Sequence, residues 1–114
     1  MHAGGSGGTK VFVNHALLWS GTASSMVDLH PAGFSHSFAR AINAGRQVGY
    51  GYLTSTYHAL VWSGTAASAI DLHQFVPAGF PESEAFGIDS AGNIVGVAGD
   101  SVTNTWHAML WMPL

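Results

Sequence analysis

The residues with most chemical potential come in repeated sets. Asp28-Leu29-His30 and Asp71-Leu72-His73 are two copies of one tripeptide, and in an extended chain its Asp and His share a face. An Asp–His pair can orient a general base, provided that a nucleophile sits nearby. The chain has no cysteine, and nothing in the linear order singles out a serine, so structural pairing is expected. Glu82 and Glu84, two residues apart beside Pro81, raise the paired carboxylates of glycoside hydrolysis. One such pair is a thin signal, and no catalytic residue is assigned. His15, His58 and His107 each precede Ala-x-(Leu/Val)-Trp. Three histidines suggest a metal site. A residue that recurs once per unit sits far from its equivalents, however, and serves the unit through its ring nitrogens. Neither metal nor cofactor is expected. Trp19, Trp62 and Trp111 recur likewise and could stack bases or sugars; packing between units is the expectation.

These sets belong to a longer repetition. "HALLWSGTASSMVDLH" (15–30) and "HALVWSGTAASAIDLH" (58–73) match at twelve of sixteen positions. Each is followed by Pro-Ala-Gly-Phe and then by a frame of Ser, Ala, Ile, Gly and Val-Gly. A third opening, "HAMLW", spans 107–111. The spacing is 43 and then 49 residues, with the extra residues confined to connections, as stacked units tolerate. The expected organisation is a flexible Gly-rich segment over 1–10 and one repeat domain over 11–114. Its units span about 15–57 and 58–106, with a partial third over 107–114.

Within each unit "FARAIN", "QVGYGY", "HALVW" and "AIDLH" read as four short strands, rich in β-formers and punctuated by Gly and Pro. No segment sustains a helical period over ten residues. Four antiparallel strands per unit of this length make one blade of a β-propeller. The predicted fold class is all-β, with propeller-like blades, about two per chain, completed by oligomerisation.

The frame in "SFARAINAGRQVG", "HALLW" with "VDL", "SEAFGIDSAGNIVG", "HALVW" with "IDL", and "HAMLW" resembles the HAF-type repeats of bacterial extracellular proteins. The likeness covers roughly residues 11–112. It implies a β-propeller-like fold, a binding surface and an extracellular setting, and it brings no reaction with it. No signal peptide is read in this chain, whose first ten residues carry no apolar core.

Composition narrows the partners. Only Lys10, Arg40 and Arg46 are basic and the formal net charge is −3, which leaves too few cations for a phosphate backbone. No basic amphipathic or bilayer-length apolar segment is present. Nucleic acid and membrane are therefore not expected partners.

A propeller needs typically four to eight blades, so the units must be completed. The strand reading gives "HALLW" and "MVDL", a full blade, and three strands of another. An open edge invites pairing with a second chain. The expectation is a head-to-tail ring of three or four chains, in which "MVDLH" of one chain supplies the missing outer strand of the next. The surplus "HALLW" then competes for an occupied place. The connections "HPAGFSHSF" and "HQFVPAGFPESE" are expected on one face with "LTSTY" and "DSVTNT". That face would display His30, Phe34, His36, His73, Phe75, Phe80, Glu82 and Glu84 to a small-molecule or glycan ligand. The leading functional expectation is thus a non-enzymatic, self-associating binding module. The alternatives are a carbohydrate-active or other hydrolytic enzyme and a purely structural fragment of a larger repeat protein.

Overall fold

A computed structural model describes residues 2–6, 14–19 and 25–113. Among these residues ten strands form three antiparallel sheets. The first sheet is β1 (His2–Ser6), β2 (His15–Trp19) and β3 (Val27–Asp28). The second is β4 (His36–Asn43), β5 (Arg46–Leu53), β6 (Thr56–Trp62) and β7 (Ile70–Asp71), in that order. The third is β8 (Glu82–Ile88), β9 (Ile94–Asp100) and β10 (Thr105–Trp111). The all-β expectation holds, and the only multi-residue helical elements among the described residues are 3-10 turns over Ala66–Ser68 and Leu72–Phe75. One chain forms three stacked sheets and no closed ring.

The Gly-rich segment differs from expectation. His2–Ser6 pairs with β2 along its whole length, from His2 opposite Trp19 to Ser6 opposite His15. Two glycines and no β-branched residue give this stretch little strand preference, so the pairing edge of β2 imposes the strand. The remainder of the expected flexible segment, 7–10, lies outside the described residues.

Local chemistry explains the ladders. Asn43 and Arg46 close the β4–β5 hairpin around Ala44 and Gly45, with φ of 51° and 77°. Two successive positive φ values make the twist-matched hairpin turn. Both inner strands carry a bulge at the same place: the register slips at Arg40 in β4 and at Phe86 in β8. The repeated Val-Gly of the frame follows from it. A Cβ on Gly49 would collide with the Phe38 carbonyl, and one on Gly96 with the Glu84 carbonyl.

Alternation along β6 splits the core in two. Leu60 and Trp62 pack with Ala16, Leu18 and Leu29 of the first sheet. Ala59 and Val48 pack with Leu72, and with Ala85, Ile94 and Trp111 of the third. The second sheet is therefore covered on both faces, and Gln47–Gly51 of β5 is buried without a break. A sequence unit does not coincide with a sheet. It starts at β2 or β6 in one sheet and runs through β5 or β9 of the next, so each repeat spans a junction.

Candidate functional site

The repeated polar residues meet at the two junctions. At the first, His15 Nδ1 lies 3.0 Å from Asp28 Oδ2, and the His30 amide donates to Asp28 Oδ1 at 2.9 Å. The His30 ring stacks on His15 with centroids 3.8 Å apart and planes 6° from parallel. His30 Nδ1 is 2.7 Å from Ser37 Oγ, Nε2 is 2.7 Å from the Phe34 carbonyl, and the Ala16 amide donates to Ser37 Oγ at 3.0 Å. Trp62 Nε1 reaches back to the Leu29 carbonyl at 2.7 Å.

The second junction repeats this pattern. His58 Nδ1 is 2.8 Å from Asp71 Oδ2, the His73 amide donates to Asp71 Oδ1 at 2.9 Å, and His73 stacks on His58 at 4.3 Å. His73 Nδ1 is 2.8 Å from Ser83 Oγ, to which the Ala59 amide donates at 3.0 Å. Trp111 Nε1 donates to the Leu72 carbonyl at 3.2 Å.

Asp, His and Ser in one network have the elements of a nucleophilic system, but the connections differ from one. The carboxylate bonds the histidine of the neighbouring strand, thirteen residues upstream, and not the ring of its own Asp-Leu-His. This corrects the pairing expected within each tripeptide. The serine does sit on an imidazole, yet Ser37 and Ser83 are both fully buried. A carbonyl only accepts, so Nε2 of His30 carries the proton; Nδ1 is then bare and accepts from the Ser37 hydroxyl. That state is the neutral ring. Burial lowers the pKa of His30, reinforced by the charge of His15, against the opposing bond to Phe34 and the Asp28 carboxylate. Burial lowers His73 likewise, with His58 adding to it. Asp28 is pushed up by burial, but its bonds from His15 and the His30 amide outweigh that and hold it low. The network fastens one sheet to the next, and its hydroxyl has no access to a substrate. His15 and His30 lie face to face, which gives them no shared ligand point, and no group of three candidate metal ligands occurs among the described residues.

The eight loop residues fall into different settings. His30 and His73 belong to the junction networks. Phe34 lies edge-on to His58 at 6.5 Å and Phe80 edge-on to His107 at 5.0 Å, each leaning across a junction. His36 Nδ1 accepts from the Asn14 amide at 3.2 Å and its ring meets Tyr52 edge-on. Glu82 is 5% exposed and its two oxygens accept from the Tyr57 amide at 3.4 Å and the Ser101 amide at 3.0 Å, so it ties the loops together. Glu84 is half-buried, and burial raises its pKa, with Arg40 pulling it down and Glu82 pushing it up. Phe75 departs from the others. It is 63% exposed and lines an apolar groove of about 510 Å³ with Ile70, Leu72 and Trp111, whose rim includes Arg46 and Gly92 at the hairpin end.

Two features were not singled out in the sequence. Ser37 and Ser83 head the repeated Ser-x-Ala frame, and their recurrence was the available signal. The second is an aromatic patch on the inner strands. Arg40 donates to the Tyr50 hydroxyl with its guanidinium 5.2 Å from the ring centroid. Phe38, Tyr57 and Phe86 surround that ring at 5.2, 5.5 and 6.4 Å. Phe86 is 43% exposed, and it and Arg40 stand at the two bulges. These residues differ between the repeats, unlike the junction residues. No family model, no curated protein and no solved structure matches the chain.

Proposed function

We propose that the chain is a non-enzymatic repeat module of β-propeller type, of the HAF kind its motifs resemble. It works by joining further copies of itself head to tail and by presenting a loop face for binding. One observation carries this reading. The second sheet covers the outer face of the first, and the third covers that of the second, with the same residues at both junctions. The equivalent face of the third sheet is bare. Val95 and Leu110 are the counterparts of Val48 and Val61, and they are 52% and 57% exposed. An apolar sheet face of this kind, beside an open edge, is an association surface. Light scattering across a concentration series tests it. A ring of three or four 11.9 kDa chains is expected, and Leu110→Asp should reduce it to monomer. A wild-type monomer at every concentration overturns the reading.

A binding role is supported less by the loop residues than by the inner strands, where the exposed Arg40 and Phe86 stand over the buried Tyr50, next to Tyr57 and the half-buried Glu84. Aromatic faces flanked by a cation and a carboxylate suit a glycan or small polar ligand. A glycan and metabolite screen is expected to give a ligand whose binding falls with Phe86→Ala and with Glu84→Gln. Hits insensitive to both would remove the patch from the binding role.

A further inference from the structure

The third sheet has a precise vacancy. In β2 and β6 the histidine of His-Ala-x-(Leu/Val)-Trp holds an aspartate and a stacked imidazole, and the strand's outer edge pairs with a Val-Asp or Ile-Asp strand. In β10 the equivalent His107 is exposed and meets Phe80 edge-on. Among the described residues it has no carboxylate partner, no stacked imidazole, and no strand beyond it. The pairing of Val61 with Ile70 and of Leu60 with Asp71 shows what fits there. A Val-Asp-Leu-His segment would set Val opposite Leu110, Asp opposite Met109, and the carboxylate on His107.

The first sheet reads as a copy of the surface that this vacancy belongs to. β2 is "HALLW" where β10 is "HAMLW"; each pairs antiparallel with a glycine-bearing strand on its inner side, β1 or β9. The first sheet has no counterpart of β4 or β8 among the described residues, so it offers the second sheet a narrower face than the third sheet would. Its hold on β3 is short, as that of β6 on β7 is: Leu17 faces Asp28, Leu18 faces Val27 and the Leu29 amide donates to the Ala16 carbonyl at 2.8 Å, while Met26, Val27 and Asp28 are exposed.

We propose that β1–β2 is an internal stand-in for β9–β10 of a second copy. On association β3 leaves β2 and adds to the outer edge of the partner's β10. The residues after β3 lead directly into β4, so the second sheet of the donor then packs on the bare face of the third sheet of the acceptor. Val95 and Leu110 are covered in the way Val48 and Val61 already are. The exchange also resolves the competition between two strands for one place, because β2 holds β3 only until a neighbour does. It rests on the association reading above and adds that the donated strand first pairs with β2 of its own chain, and that β1–β2 is what a neighbour displaces.

Cysteine pairs in the full chain test it, since the protein has no cysteine of its own. Residues 27 and 110 lie in sheets on opposite faces of the second sheet, and cannot meet within one chain. Val27→Cys with Leu110→Cys should give, on oxidation, disulfide-linked species at multiples of 11.9 kDa. Val27→Cys with Leu18→Cys, facing residues within one chain, should close internally and lose the oligomer until reduced. His15→Ala should favour the oligomer and His107→Ala weaken it, because each histidine holds Asp28 in only one of the two states. Oligomer by light scattering without the 27–110 cross-link, and undiminished by closing 18–27, overturns the exchange and leaves association standing. Monomer with no cross-link overturns both.

Discussion

The two junctions share their hydrogen bonds and differ in how well the space around them is filled. At the first, the histidines stack at 3.8 Å and 6°, Trp62 sits 2.7 Å from its carbonyl, and Trp62 and Leu29 are both 0% exposed. At the second, the corresponding figures are 4.3 Å and 21°, 3.2 Å, and 9% for Trp111 against 5% for Leu72. The apolar groove opens beside the second. Ala69, following the 3-10 turn after β6, packs into the first cluster next to Trp62. The residues described beyond Trp111 include no counterpart of that turn. The 3-10 turn over Leu72–Phe75 leaves Phe75 in the groove mouth instead of closing it. The polar residues thus fix which sheet meets which, while the apolar filling decides how tightly.

Truncating the tryptophans should show the largest effect. Trp62→Ala removes a fully buried indole and its bond to Leu29, a loss of about 3–5 kcal/mol. Trp111→Ala should sit at or below the lower end of that range, because one side of its ring already faces the groove. Urea unfolding of both variants in dilute solution measures the gap. Equal losses would mean that the groove is closed in solution.

Glycine replacement comes next. Gly49→Ala and Gly96→Ala each drive a Cβ into the carbonyl of the bulged partner strand, and overpacking of this kind costs roughly 1–3 kcal/mol. Gly49 lies in the sheet covered on both faces and cannot relax, whereas Gly96 lies in the sheet with one free face. Thermal melts should place Gly49→Ala below Gly96→Ala, and the reverse order would contradict the idea that covering sets rigidity.

The serines should separate less. Ser37→Ala strips a partner from the buried Ala16 amide and from His30, and Ser83→Ala does the same for Ala59 and His73. An unsatisfied buried group costs about 1–3 kcal/mol. Water can enter more readily beside the looser second junction, so Ser83→Ala should be the milder variant in the same unfolding assay. If it proves the harsher one, the groove does not admit water to Ser83.

The strands of the second and third sheets were readable because Val-rich, Gly-punctuated runs repeat with a period longer than any helix would keep. β1 was not, since "HAGGS" has no strand preference of its own and becomes a strand only against β2. The Asp-Leu-His motif is visible as a motif, but its partner is not. The carboxylate turns to a histidine thirteen residues back on the adjacent strand, and sequence spacing alone cannot show a cross-strand neighbour. Arg40 and Phe86 were hidden for a related reason. A bulge re-aims a side chain, and the clue lay in the repeated Val-Gly opposite, whose missing Cβ makes room for it.

Acid should weaken both junctions, and the first more steeply. His30 and His73 have folded-state pKa values below the 6.5 of a free imidazole. The unfolded chain therefore binds a proton at a higher pH than the folded one, and stability rises with pH through that window. The contribution is present in full above 6.5 and is lost as pH falls through the folded values. Asp28 acts in the same direction lower down, since its pKa is held below 3.8 and its contribution disappears as the carboxylate protonates. Protonated His30 would place a cation against the stacked His15 ring and leave Nδ1 donating towards a Ser37 oxygen that already accepts from Ala16. His73 faces the same change, but its ring stands further from His58. Melting temperature should thus be flat from about pH 8 to 7 and decline below 6.5. Ser37→Ala, which removes the hydroxyl that selects the neutral ring, should flatten that decline more than Ser83→Ala does. Identical slopes in the two variants would mean that the tighter stack does not make the first junction the more acid-sensitive one.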